Sequence, residues 1–268
     1  MALAAHLSAA VALADQFPVL AGVDLDVAEG EVVVVQGPNG AGKTSLLRLC
    51  CGLLPLTSGE AEVLGVDLGR DRVGVRRKVA LLGHASFLYD DLTAAENVAF
   101  ALRCARLARS GTAGALEAFE LTGRVQRTPV GRLSAGQRRR VALASLVARA
   151  APLWLLDEPH AGLDAHARDL LDSAVRNAAA AGTTVILASH DAERSLALAD
   201  RVVTMAGGCV VASGSSPAPR ALDANGVGRT EADGVGRTEG AGTGRTEGAG
   251  TDGRMADERT LAEVPHVA

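Results

Sequence analysis

The sequence predicts an α/β protein built on a parallel core sheet, and two observations lead there. From Val11 to about Pro217, short β-branched runs alternate with longer Ala/Leu/Arg-rich stretches, the alternation expected of strands and helices. Three of those runs, Val32 to Val35, Leu153 to Leu156 and Val185 to Ala188, are short and continuously apolar, as strands buried on both faces are. Each ends at a polar group. Loops are thereby placed at the carboxyl ends of parallel strands, where open α/β sheets bind their ligands.

The elements follow in order along the chain. Ala2 to Ala14 is apolar enough to mimic a secretory leader, but no Lys or Arg precedes it and Asp15 and Gln16 lead into strand-like sequence, so it is read as the first strands. Residues 1–217 are expected to form one domain. Beyond them, 218–268 form a low-complexity tail in which Gly-Arg-Thr-Glu recurs at Gly228, Gly236 and Gly244, with too few apolar side chains to offset chain entropy; disorder is expected there. Ala221 to Ala268 holds nine acidic and five basic side chains and so accounts for the whole net charge of −4. A balanced remainder gives no electrostatic footprint for nucleic acid and no polybasic membrane anchor. No run approaches the roughly 20 apolar residues of a membrane-spanning helix, so membrane association is expected through a partner. The four cysteines, Cys50, Cys51, Cys104 and Cys209, lack the spacing of a zinc set or a disulfide framework and are expected to be reduced, buried thiols.

Chemistry enters directly after the first apolar run. Gly37-Pro38-Asn39-Gly40-Ala41-Gly42-Lys43-Thr44, continued by Ser45, fits the full G-x-x-x-x-G-K-[ST] phosphate loop in its strand, loop, helix setting. Its glycines let backbone N–H groups turn toward phosphates, Lys43 reaches the β and γ phosphates, and Thr44 ligates magnesium. The implied ligand is a nucleoside triphosphate with Mg²⁺. Only two lysines occur in the chain, Lys43 and Lys78, so a composition that favours arginine has kept lysine here. The second run ends in Asp157-Glu158: an acidic residue at a strand terminus can hold magnesium, and its neighbour can polarise the attacking water. Hydrolysis is expected, not binding alone.

Leu133-Ser134-Ala135-Gly136-Gln137 precedes the acidic pair and opens an Arg-rich helical stretch. With Ala161-Gly162-Leu163-Asp164 after Glu158, and His190 closing the third run, the chain resembles the ABC ATPase family from about Val11 to Ala212. The resemblance implies a P-loop NTPase core with an antiparallel β portion and a helical lobe at about 87–133. It also implies that two copies sandwich ATP. Ser134 and Gly136 of one copy then contact the γ-phosphate held by the other copy's Lys43, Asp164 links the two sites, and His190 binds the γ-phosphate and orients water near Glu158. The chain has one copy and is expected to dimerise. Two departures stand out: Ala135 replaces the usual signature glycine, and His84 stands where the family has a glutamine that ligates magnesium and contacts the membrane subunit. His84 is therefore the third metal candidate beside Thr44 and Asp157. Phe17, upstream of the phosphate loop, either stacks on adenine or belongs to the core.

Gly83-His84, Asp91 to Asn97 (DLTAAEN), Leu133 to Leu143 (LSAGQRRRVAL) and Ala151 to Glu158 (APLWLLDE) look most like the haem exporter ATPases of cytochrome c maturation. That resemblance implies an integral membrane permease, haem-handling maturation proteins and a peripheral place on the cytoplasmic face of the cell membrane. A drug or lipid exporter ATPase is the alternative within transport. A soluble ABC ATPase is disfavoured because neither a coiled-coil insertion nor a second ATPase copy is present.

Overall fold

The structure is a computed structural model that describes residues 2–83, 86–190 and 192–216. His84 and the tail from 218 lie outside the described residues. The chain opens with two long antiparallel strands, β1 (Leu3–Ala14) and β2 (Phe17–Ala28), then β3 (Val32–Gln36), the phosphate-loop helix α1 (Lys43–Cys50), β4 (Ser58–Val63), β5 (Val66–Asp67), α2 (Leu68–Val75) and β6 (Val79–Leu82). Next come α3 (Ala94–Cys104), α4 (Thr112–Ala118), α5 (Ala135–Ala148), β7 (Leu153–Asp157), α6 (Ala165–Ala180), β8 (Thr184–Ala188), α7 (Ala192–Leu196), β9 (Arg201–Ala206) and β10 (Cys209–Ser215).

Two sheets result. One has the order β10-β9-β3-β8-β7-β6, parallel except for the antiparallel edge strand β10; the other is antiparallel, β2-β1-β4-β5. The three predicted runs are β3, β8 and β7, side by side at the centre of the parallel sheet. Their alternate residues enter different cores. Val32, Val34, Trp154, Leu156, Val185 and Leu187 pack with the helices α3 to α6. Val33, Val35, Leu153, Leu155, Ile186 and Ala188 pack with α1 and the antiparallel sheet. Burial on both faces explains why these strands read as unbroken apolar runs rather than alternating ones.

Several helices start where a side chain caps them, α3, α5 and α6 among them. Thr93 and Glu96 form a capping box at α3: the Glu96 carboxylate accepts from the Thr93 N–H at 2.8 Å, and the Thr93 hydroxyl accepts from the Glu96 N–H at 3.2 Å. Ser134 and Gln137 do the same at α5. Asn97, on the buried face of α3, ties down the preceding loop: its side chain accepts from the Tyr89 N–H at 2.8 Å and donates to the carbonyls of Tyr89, Leu92 and Thr93.

One expectation is corrected. Only Cys50 and Cys51 are buried; Cys104 is exposed and Cys209 is partly so, all four as free thiols. The reason is position. Cys104 ends α3 on the rim of a surface groove, and Cys209 lies on the edge strand β10. Burial pushes the Cys50 thiol up to about 12, with Cys51 beside it adding to the effect.

Candidate functional site

The strand order builds the site. The phosphate loop leaves β3, His190 follows β8 and the acidic pair ends β7, so three adjacent parallel strands present their loops at one edge. At that edge a cleft of about 480 Å³ is lined by Asn39 to Ser45, Asp157, Glu158, and, opposite them, Pro18, Val19, Gly207 and Gly208.

Within the loop, Gly37 has φ +144°, and a Cβ there would stand 2.2 Å from the Met205 carbonyl oxygen, so backbone approach and dihedral both demand glycine. Lys43 is nearly buried and its Nζ donates to the carbonyls of Gly37 (2.8 Å) and Pro38 (3.1 Å), which folds the ammonium back over the loop it serves. Thr44 Oγ1 donates to the Asp157 carboxylate, at 2.9 Å to Oδ2 and 3.1 Å to Oδ1. Hydroxyl and carboxylate thus meet at the head of the loop, an all-oxygen pair of the hard-donor type that magnesium takes.

Glu158 holds φ +46°, a left-handed conformation unfavourable for a residue with a Cβ, of the kind that gathers at functional sites. Its N–H donates to the Ala188 carbonyl at 2.9 Å, while its Oε2 accepts from His190 Nδ1 at 2.7 Å and from the His190 N–H at 3.3 Å. The His190 ring is otherwise largely exposed.

The remaining sequence-predicted residues are placed elsewhere. Ser134, Gly136 and Asp164 are not among the residues that line the cleft. Ser134 caps α5, its Oγ accepting from the Gln137 N–H at 3.2 Å, and Asp164 caps α6, its Oδ1 accepting from the Ala167 N–H at 2.8 Å. A Cβ at Gly136 would meet nothing closer than the Gly162 carbonyl oxygen at 3.8 Å, so none of the described residues requires glycine there. Phe17 is 73% exposed, next in sequence to Pro18 and Val19 of the cleft, which removes the core alternative. Sequence reasoning missed Arg139. Its guanidinium is buried and donates to the carbonyls of Gly83 (2.7 Å) and Glu158 (2.9 Å).

A phosphate loop and an acidic pair facing one cleft on a doubly covered parallel sheet define a nucleoside triphosphatase of the P-loop class. The comparisons narrow the class. The sequence profile of the ABC transporter family matches residues 20–161. The cytochrome c biogenesis ATP-binding export protein CcmA of Roseobacter denitrificans is 39% identical over 173 residues, covering 65% of this chain and 77% of that protein. The daunorubicin resistance ATP-binding protein DrrA3 of Streptomyces coeruleorubidus is 38% identical over 201 residues, 74% of this chain and 63% of that protein. Among solved structures, the ATP-binding cassette MJ0796 in a dimeric post-hydrolysis state bound to ADP and Pi superposes with a TM-score of 0.73 at 26% identity, covering 79% of this chain and 98% of that one. The chain belongs to the ABC transporter family, as an ATP-binding subunit whose family couples ATP hydrolysis to transport.

Proposed function

We propose that this chain is the motor subunit of a haem exporter for cytochrome c maturation, hydrolysing Mg²⁺-ATP between two copies of itself. The observation that carries the cargo is its 39% identity to a cytochrome c biogenesis export ATPase. The similarity to a daunorubicin resistance ATPase supports a drug exporter as the second reading.

The chain's own residues divide the work. Loop N–H groups and Lys43 neutralise the phosphates, and Lys43 exchanges its two carbonyl acceptors for β and γ oxygens. Thr44 and Asp157 hold Mg²⁺, which when bound offsets the negative charge that grows on the phosphates. Glu158 accepts a proton from the attacking water, and His190, already hydrogen-bonded to the same carboxylate, keeps it aimed. Ser134 contributes to the partner copy's nucleotide. Its Oγ accepts from the Gln137 N–H and so retains its own proton to donate to a γ-phosphate, while Gly136 leaves the start of α5 open to an outside group. Asp164, exposed at the start of α6, links the two sites.

The family reading brings a separate membrane permease as partner and a peripheral place on the cytoplasmic face of the membrane, and no helix among the described residues is long and apolar enough to cross a membrane. A groove of about 490 Å³ between β6, α3 and α5, rimmed by exposed Phe87, Tyr89 and Phe100, supports docking of a permease segment there, next to His84 in sequence. The test is to trap the tagged Glu158→Gln variant with ATP in native membranes and identify copurifying membrane proteins. A small permease with haem-binding maturation proteins supports the reading. An unrelated permease leaves the motor and removes the haem.

A further inference from the structure

Three consecutive arginines follow the signature, and helical geometry fans them about 100° apart. Arg138 reaches back to the Gly131 carbonyl and toward Asp90, and Arg140 reaches the Phe119 carbonyl and Glu120. Arg139 alone turns into the core. There its guanidinium makes no ion pair among the described residues; it donates to the main-chain carbonyls of Gly83, Glu158 and, at 3.4 Å, Asp157, and its Nε has no hydrogen-bond partner. A buried cation whose hydrogen bonds go only to carbonyls is costly, because no carboxylate pairs with it directly. Burial accordingly lowers the Arg139 pKa, with the charge of Asp157 opposing.

The location explains the arrangement. The carbonyl that Arg139 grips belongs to Glu158, the residue held at φ +46°, and the other end of the fork grips the loop after β6. We infer that Arg139 is a positioning residue for Glu158: by clamping the Glu158 carbonyl to Gly83, it holds the carboxylate where it takes the proton from water. Because Arg139 lies five residues past Ser134 on the same helix, it also fixes the base relative to the signature. The inference rests on Glu158 being the general base.

The test is a double-mutant cycle on the purified full chain, with kcat, KM for ATP and thermal unfolding measured for Arg139→Met, Glu158→Gln and the pair. Arg139→Met is expected to lower kcat about tenfold or more with KM changed less than about threefold, since displacing a catalytic group by a fraction of an ångström is enough for such losses. In the Glu158→Gln background the same change is expected to cost less than about twofold, because a residue acting through Glu158 has little left to act on. Arg139→Lys, which keeps the charge but loses the fork, should fall between wild type and Arg139→Met. If Arg139→Met does not fold, Arg139→Gln carries the same cycle. Equal losses in both backgrounds, or an unchanged kcat in Arg139→Met beside an inactive Glu158→Gln, overturn the inference. Wild-type turnover in Glu158→Gln instead removes the base assignment itself.

Discussion

Asn97→Ala should destabilise the protein by about 2 kcal/mol. The side chain is 3% exposed and serves four backbone contacts in the loop before α3. Three of the four backbone groups keep another partner when it is lost. The Tyr89 carbonyl still accepts from Leu92 N–H, the Leu92 carbonyl from Val130 N–H and the Thr93 carbonyl from the residue-97 N–H. The Tyr89 N–H has no replacement, and a buried orphan costs about 1–3 kcal/mol, with about 1 kcal/mol more for the hydrogen bonds lost in exchange. Tyr89 is half exposed, so water relieves part of the penalty and the lower half of the range applies. For a domain of this size about 2 kcal/mol corresponds to a fall in Tm of roughly 4–8 °C, read by calorimetry or circular dichroism. Asn97→Asp is the control: as a carboxylate it still accepts from Tyr89 but confronts three carbonyls without a donor, so at neutral pH it should be at least as damaging. A Tm within about 1 °C of wild type for Asn97→Ala, where a drop of several degrees is expected, would refute the reasoning.

Glu158→Gln should bind ATP yet hydrolyse it at least roughly a hundredfold more slowly in steady-state assays, the scale of a lost general base. Ser134→Ala should lose about 1 kcal/mol with the cap, while turnover falls about tenfold or more because the phosphate donor goes with it; unchanged turnover would leave the serine as a cap alone. Under native conditions at pH 8, a thiol reagent should label Cys104 first and leave Cys50 unmodified until denaturant is added, since the Cys50 thiol is buried and raised to about 12. Mass mapping of the labelled peptides checks the order.

The buried strands and the phosphate loop were legible because their signals are local: an unbroken apolar run means burial on two faces, and the G-x-x-x-x-G-K-T spacing carries its own geometry. The adjacency of β3, β8 and β7 was not, since it depends on crossovers that skip a strand and return. The same holds for the contact between His190 and Glu158, which are 32 residues apart and meet only through that adjacency. Arg139 was hidden for another reason. Its sequence environment, Arg138-Arg139-Arg140, reads as a solvated basic face, and only helix rotation against the sheet singles out the middle residue. Cys104 misled because a cysteine's average preference for the interior says nothing about which face of α3 it occupies.

Ala188 is paired on one side with Val35 and on the other with Asp157. A single alanine thus serves as the common reference from which the phosphate loop and the acidic pair are both measured. Neighbouring strands stand about 4.8 Å apart and each residue advances about 3.3 Å, so a one-residue slip of β8 would carry His190 by most of a strand spacing and invert every buried side chain on that strand. Such a slip has no half-measure. Errors in the assembly of this edge should therefore appear as misfolded protein rather than as slow enzyme, and the amides of β3, β7 and β8 should exchange with solvent only when the whole sheet opens.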